Sequence, residues 1–222
     1  NGLAAVYDSG TGNGPRKTIQ SGINAAVSGD TVSVAPGTYK GTGNKNLDFK
    51  GKSVKLYGSG AATTSIDCEN SGRAIYFHSE ESAEIKGFTL LNGTVSGSFP
   101  EGSGGAILAV NSSLTIRNCI IKNNSADWGG AIEVYHADML LENCLVVNNT
   151  AQKTGGSLYI TGLSFADIVN STIADNTEVS GEEQSAILNS LPDVNIFNSI
   201  SEALHIIRYS PSNVTASYSC IK

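Results

Sequence analysis

The sequence is poor in charged residues and has neither a basic cluster nor a long apolar run. Charged residues make up 15% of its 222 residues, against roughly 25% in an ordinary soluble domain. The formal net charge is −6 and the Lys and Arg residues are scattered, so nucleic acid and anionic membrane surfaces are not expected as partners. No apolar run approaches the ~18 residues of a spanning helix, so membrane insertion is not expected either.

Gly, Ser, Thr and Asn take the place of the missing charge, and they occur in a repeat. Residues 113–124 are followed by a near copy at 139–149, and residues 128–135 by one at 154–161. Asn118 to Asn143 is 25 residues and Gly130 to Gly156 is 26, and a period of about 20–50 residues indicates a solenoid. Each repeat holds three short runs of alternating apolar residues, which are too short for helices. Stacking these runs predicts three parallel sheets around one core.

Asparagine recurs at one corner of the predicted coils, at Asn118, Asn143, Asn170 and Asn198. Asn tolerates a left-handed backbone, and its amide can bond to the Asn of the next coil. We therefore predict that this column is a structural hydrogen-bonded ladder. A second column consists of residues 123–124, 148–149 and 175–176.

The four cysteines are Cys68, Cys119, Cys144 and Cys220, and none of them forms a CxxC pair, so the usual metal-site spacing is absent. Cys119 and Cys144 hold the same place in successive coils. We predict stacked, buried and reduced thiols there rather than a disulfide.

The ends of the chain differ from its middle. Residues 1–14 are polar and Gly-rich and are predicted to be an irregular lead-in. Ile19, Ile23, Ala26 and Val27 form one helical face, and a short helix here would cover the open end of the first coil. One domain, 1–222, is expected, with lead-in and cap at 1–29 and coils at 30–222. The last coil is incomplete, so end-to-end self-association is expected.

The opening segment 18–39, the repeated Gly-Gly-Ala-Ile and the Asn-Asn corners resemble the right-handed parallel β-helix proteins of the pectin-lyase-like superfamily, especially secreted or surface-anchored bacterial members. With the coil layout, this implies an all-β, right-handed parallel β-helix (solenoid) of about seven coils with a short N-terminal capping helix. It also implies a secreted or cell-surface location. The resemblance assigns to the first sheet residues 74–78, 106–110, 131–135, 157–161 and 186–189, and the family's enzymes bind polysaccharide on the outer face of that sheet.

Strand alternation points an aromatic stripe outward from this sheet. The candidate carbohydrate-binding residues are Tyr76, Trp128, Glu133, Tyr135 and Tyr159. Sugar rings pack their C–H groups on aromatic faces, so these residues form a candidate glycan platform. The alternative is that they are ordinary surface residues of a β protein.

Catalysis has weaker support from the sequence. A lyase of this superfamily uses Ca²⁺ and an Arg or Lys base, but the outward stripe has no Arg or Lys before Arg208. Asp127, Glu133 and Asp138 are too few oxygen ligands for a dedicated calcium site, so no cofactor or metal site is predicted. A hydrolase needs two flanking carboxylates, and Asp127 with Glu133 is more simply a pair of solvated acids.

The histidines, His78, His136 and His205, lie in different columns, so no Ser-His-Asp group is predicted. The segment 94–105 is the longest insertion in a coil, and long loops tend to be functional. The sequence thus predicts a non-catalytic secreted or surface module that binds polysaccharide or acts as an adhesin. The alternatives are a polysaccharide lyase or glycoside hydrolase and a purely structural stalk, and no catalytic residue is assigned.

Overall fold

The computed structural model describes residues 6–8, 15–180, 186–189, 193–201, 214–217 and 220–221. Its elements in chain order are β1 (Val6–Asp8), α1 (Ile19–Ala25), β2 (Thr31–Val34), β3 (Gly37–Tyr39), β4 (Leu47–Asp48), β5 (Lys55–Gly58), β6 (Thr64–Asp67), β7 (Ile75–Phe77), β8 (Ser82–Lys86), β9 (Thr89–Leu91), β10 (Ile107–Val110), β11 (Ser113–Arg117), β12 (Ile120–Lys122), β13 (Ser125–Trp128), β14 (Ile132–Tyr135), β15 (Asp138–Glu142), β16 (Leu145–Val147), β17 (Thr150–Thr154), β18 (Leu158–Thr161), β19 (Phe165–Val169), β20 (Thr172–Ala174), β21 (Thr177–Glu178), β22 (Ala186–Asn189), β23 (Asp193–Phe197), β24 (Ile200–Ser201), β25 (Val214–Ser217) and β26 (Cys220–Ile221).

These strands form a parallel solenoid, as predicted. The nine-stranded sheet has the order β1-β2-β5-β8-β11-β15-β19-β23-β25, and the eight-stranded sheet has β26-β24-β20-β16-β12-β9-β6-β3. The six-stranded sheet has β22-β18-β14-β10-β7-β4, and a small three-stranded sheet has β13-β17-β21. The six-stranded sheet contains the predicted first sheet, and within the described residues it receives one strand from each of six coils, where about seven coils were predicted; β23–β26 extend the other two large sheets further.

The core consists of apolar columns that run along the solenoid. On the nine-stranded sheet the inward residues stay in register from coil to coil, and each is at most 2% exposed: Leu56, Ile85, Ile116, Leu141, Ile168 and Ile196. Strand alternation makes this possible, because one unchanged register keeps the same face inward in every coil.

Helix α1 packs against the first coil, as the amphipathic pattern predicted. Ile19 and Ile23 are fully buried in the core. The Lys52 ammonium donates hydrogen bonds to the carbonyls of Ile23 and Ala26, where a cation is favourable at a helix C-terminus. Val27 is 59% exposed, contrary to prediction, because the helix has already ended at Ala25.

The predicted lead-in is not wholly irregular. Strand β1 pairs antiparallel with β2, with Val6 opposite Val34 and Asp8 opposite Val32. Residues 1–14 have no alternation of apolar residues long enough to indicate this three-residue edge strand. The start of the last coil, at β25 and β26, continues the stack, but most of that end lies outside the described residues, and the predicted self-association stays a prediction.

The corner asparagines divide into two roles. Asn118, Asn143 and Asn170 adopt the predicted left-handed backbone, with φ of 52°, 53° and 49°, but their side chains are exposed. The prediction that they form the ladder is wrong. A residue at this corner points its side chain outward, and the ladder forms one corner later, where Asn124 and Asn149 turn inward. The Asn124 amide donates to Asn149 Oδ1 at 2.9 Å.

The Gly-Gly pairs are required because neighbouring coils pack closely at these positions. Gly129 has a φ of 60°, in the left-handed region that favours glycine. A Cβ on Gly130 would overlap the carbonyl oxygen of Gly156 in the next coil. The second glycine of each pair is therefore required by the backbone of its neighbour, which explains why the motif repeats with the coil.

The predicted thiols are buried and unpaired. Cys68, Cys119 and Cys144 are all free and at most 4% exposed. Burial raises the pKa of Cys68 to about 12. The hydrogen bond that the Cys119 thiol donates to Cys144, together with burial, raises the pKa of Cys119 well above its ordinary value.

These three thiols should therefore resist modification. We expect Cys68, Cys119 and Cys144 not to react with Ellman's reagent in the native protein and to react fully after unfolding in denaturant, because only an accessible thiolate reacts. The same counts are expected with and without prior reduction. Peptide mass mapping that found a disulfide between Cys119 and Cys144 would contradict this.

Candidate functional site

The six-stranded sheet aligns the predicted site residues. Its register places Tyr76, Leu108, Glu133 and Tyr159 side by side in one outward column. Tyr135 lies in the next outward column of the same sheet. The predicted inward residues are buried in the core: Ile75, Phe77, Ile132, Val134, Leu158 and Ile160. The direction of every strand residue was thus predictable from alternation.

Segment 94–105, which we call the cover loop, follows strand β9 and attaches to the edge of the three-stranded sheet. Val95 N–H donates to the carbonyl of Ser125 at 3.0 Å, and Gly104 N–H donates to that of Trp128 at 2.9 Å. The two ends of the loop meet, since a Cβ on Gly93 would overlap the carbonyl oxygen of Gly105. Thr94 and Ser103 still pair with Ser125 and Trp128 of the next coil, so only the residues between them depart from the repeat.

The cover loop buries the centre of the outward column. Glu133 is 2% exposed and Leu108 is fully buried, although both point away from the core. The prediction of a solvated Glu133 is therefore wrong. Alternation gives the direction of a side chain but not what lies over it, and here the neighbouring Ser103 of the loop is itself fully buried.

Glu133 is electrostatically unusual. Burial raises its pKa to about 7, although Ser103 and Arg73 partly oppose this. Removing a carboxylate from water disfavours its charged form. Its Oε2 atom has no hydrogen-bond partner. A buried carboxyl with a pKa in this range, beside a guanidinium, is typical of functional sites.

Arg73 was missed by sequence reasoning, because it precedes strand β7 and faces were assigned only within strands. It is 7% exposed, and burial lowers its pKa. Its Nη2 donates to the carbonyls of Pro100 and Glu101 in the cover loop, at 2.9 and 2.7 Å. Its Cζ lies 5.2 Å from the centre of the Tyr76 ring, so the guanidinium ties the loop to the tyrosine column.

Tyr135 forms an aromatic cluster with the loop. The Phe99 ring lies 5.0 Å from the Tyr135 ring at an angle of 52°, and the His136 ring lies 4.4 Å from it edge-on. Phe99 is 44% exposed. The two ring-to-ring distances, 5.0 and 4.4 Å, are favourable for aromatic pairs. The loop thus contributes a ring to the face on which tyrosines were predicted.

Trp128 stands apart from the other candidates. It ends strand β13 of the three-stranded sheet, and the Lys153 ammonium lies 4.0 Å from the centre of its ring. Lys153 also pairs with Asp127 at 2.9 Å. One face of the indole is therefore already occupied by a cation.

A Ser-His-Asp contact exists, contrary to prediction. Ser79 Oγ lies 3.1 Å from His78 Nδ1, and Asp48 Oδ1 lies 3.3 Å from His78 Nε2. The His78 and Asp48 side chains are 35% and 37% exposed. Because water screens these exposed side chains, the group lacks the sequestered environment that nucleophilic catalysis uses.

The candidate calcium ligands do not converge. Asp127 is held by Lys153, Glu133 is buried, and Asp138 lines a separate groove of about 560 Å³ with His136 and Phe165. Within the described ranges, no three His, Cys, Asp or Glu side chains are grouped to hold a metal ion. Nor is any helix there long and apolar enough to cross a membrane.

Comparison with known proteins defines the class. Residues 21–181 match the family model described as "Right handed beta helix region", so the chain belongs to that family and the predicted handedness is confirmed. No curated protein matches this sequence.

Solved structures of pectin methylesterases are similar to this chain in fold. Pectin methylesterase from carrot superposes with a TM-score of 0.55 at 14% identity, over 86% of this chain and 60% of that one. This chain therefore spans about 60% of the length of the carrot protein. Pectin methylesterase from Aspergillus niger, in deglycosylated form, gives a TM-score of 0.46 at 13% identity, over 95% of this chain and 84% of that one. The secreted bacterial type remains a prediction.

Proposed function

We propose that this chain is a non-catalytic polysaccharide-binding or adhesive module that acts outside the cell. The observation that carries the proposal is the alignment of partly exposed tyrosines on one face of the six-stranded sheet. Tyr76 and Tyr159 lie three coils apart in one column, which is about 14 Å at the usual strand spacing. A methylesterase of pectin among the structural relatives is in keeping with a polysaccharide ligand.

The open surface available to a glycan is smaller than the sequence indicated. Glu133 lies under the cover loop, and Lys153 holds one face of Trp128. Tyr135 and Tyr159 then become the principal contacts, with Tyr76 at one side. Stacking contributes about 0.5–1.5 kcal/mol per ring, so a short oligosaccharide should bind with a dissociation constant of about 0.1–1 mM. A longer polymer should bind better through multivalency.

Ring removal tests this proposal. We expect the double change Tyr135→Ala and Tyr159→Ala to abolish retention on a polysaccharide affinity gel without loss of fold, because the stacking faces are gone. The matched Tyr→Phe double variant keeps both rings and should be retained. Phe165→Ala, which removes a 57% exposed ring from the nine-stranded sheet, should also be retained. Unchanged retention of the alanine variant would favour the structural stalk.

A second candidate is a polysaccharide-cleaving enzyme, which the raised pKa of the buried Glu133 carboxyl favours. A carboxyl of raised pKa can serve as a general acid or base at neutral pH. Hydrolysis would require a second carboxylate across the bond, and the acids named above do not supply one in the covered site. Release of reducing ends or unsaturated uronates, lost in Glu133→Gln, would establish this function in place of simple binding.

A further inference from the structure

The tip of the cover loop is a four-residue excursion on a closed neck. Gly97 and Gly102 form the neck: a Cβ on Gly102 would overlap the carbonyl oxygen of Gly97. Gly102 N–H donates to the carbonyl of Ser98 at 3.0 Å, which closes the turn. The tip therefore comprises residues 98–101, and its ends are already in contact.

The tip meets the six-stranded sheet through groups of the kinds that a sugar chain also carries. Phe99 offers an apolar ring face to Tyr135. Pro100 and Glu101 offer two oxygen acceptors to the Arg73 guanidinium. A glycan has apolar C–H faces and many hydroxyl oxygens, so it can make both kinds of contact at the same places.

Among the described residues, two buried polar atoms on this covered face have no hydrogen-bond partner: Arg73 Nε and Glu133 Oε2. Burying polar groups without partners is unfavourable. Phe99 remains 44% exposed, so its contact with Tyr135 offsets little of this cost. Two hydrogen bonds from Arg73 and the contact of Phe99 with Tyr135 hold the tip in place, and the hydration of the polar groups beneath opposes this arrangement.

The base of the cover loop, unlike its tip, is firmly attached. Val95, Asp127 and Trp128 join the base of the loop to its neighbours by backbone hydrogen bonds of 2.9–3.2 Å. The base can therefore stay in place while the tip moves.

We propose that the tip, residues 98–101, is an intramolecular competitor that occupies the glycan-binding face in the free protein. A polyhydroxylated sugar chain displaces it, stacks on Tyr135, and gains hydrogen bonds to the uncovered Arg73, Ser103 and Glu133. Hydroxyl groups both donate and accept, which suits a floor of two donors and one carboxyl. This inference rests on the proposed glycan binding and adds its regulation.

Excision of the tip tests the competition. The variant that joins Gly97 directly to Gly102 keeps the base of the loop. It should bind a polysaccharide about tenfold more tightly than wild type, as expected when the competent state is populated at about a tenth. Phe99→Ala should shift affinity in the same direction. Weaker binding of Phe99→Ala would show that this ring is part of the platform and would overturn the proposal, as would equal binding of wild type and the excised variant.

A second measurement does not depend on any glycan. NMR titration of the Glu133 carboxyl should show its pKa falling from about 7 towards 4.5 when the tip is excised, because water then reaches the group. An unchanged pKa would overturn the covering role.

The two measurements also separate the two proposals. If the pKa falls but neither protein binds any polysaccharide, the proposed function fails and the competition fails with it. If both proteins bind equally and the tyrosine variants do not, the proposed function stands and only the competition is overturned.

Discussion

Replacing Asn149 by Ala should lower the free energy of unfolding by roughly 3–5 kcal/mol, because several buried groups lose partners that each contribute about 1–3 kcal/mol. Asn149 is fully buried. Its Oδ1 accepts from the backbone and side-chain amides of Asn124, at 3.0 and 2.9 Å. Its Nδ2 donates to the carbonyls of Ile121 and Val147 and to Asn176 Oδ1. Thermal unfolding should shift down by about 10 °C or more for a chain of this size.

The exposed corner supplies the control. Asn143→Gly keeps the left-handed backbone without a strained Cβ, and its side chain makes no part of the inward ladder, so unfolding should change by less than about 1 kcal/mol. Equal melting of wild type and Asn149→Ala, measured by circular dichroism, would show that the inward amides do not stabilise the stack.

Replacing Glu133 by Gln should stabilise the protein at high pH and have little effect at low pH. The folded-state pKa is raised from 4.5 to about 7 by burial. The folded chain therefore holds this proton more tightly than the unfolded chain does. The stability that Glu133 contributes is fully present below pH 4.5 and is lost as the pH rises through about 7. A shift of this size corresponds to about 3 kcal/mol.

Denaturant unfolding of both proteins at pH 4.5 and pH 8.5 measures this difference. The Gln variant should exceed wild type by about 3 kcal/mol at the higher pH only. Glu101→Gln, which alters an exposed acid of the same loop, serves as the control for the loss of one charge. A constant difference between Glu133→Gln and wild type at both values would mean that the carboxyl is not titrating inside the fold.

The sequence predicted the parts of the fold that the repeat encodes. A constant register repeats the same face in each coil, so the period and the alternation were sufficient to orient Ile132, Glu133 and Tyr135. Asn118 and Asn143 were correctly predicted at left-handed corners, since few other residues tolerate that backbone. The predicted number of coils was about seven, and within the described residues six coils contribute a strand to each of the three large sheets.

The candidate site was less predictable because it depends on what departs from the repeat. The burial of Glu133 arises from the path of residues 94–105, which no periodicity specifies. Arg73 reaches the site from outside any strand, and its partners are carbonyls, which carry no side-chain signal. The ladder was predicted at Asn143 but lies at Asn149. Both columns are rich in Asn, and the composition does not show which column has its side chains turned inward, because the backbone conformation determines this.

The meeting of Gly93 with Gly105 has a consequence for how such a protein can change. An insertion whose ends already touch places no demand on the span between neighbouring coils, and lengthening it adds only a slowly growing entropic cost. The corner after β9 is therefore an insertion site. Segments of different length and chemistry can be placed there while the strands of neighbouring coils keep their register. Exchanging residues 98–101 for another loop would alter what the outer face presents and leave the pairing of Thr94 and Ser103 with the next coil unchanged.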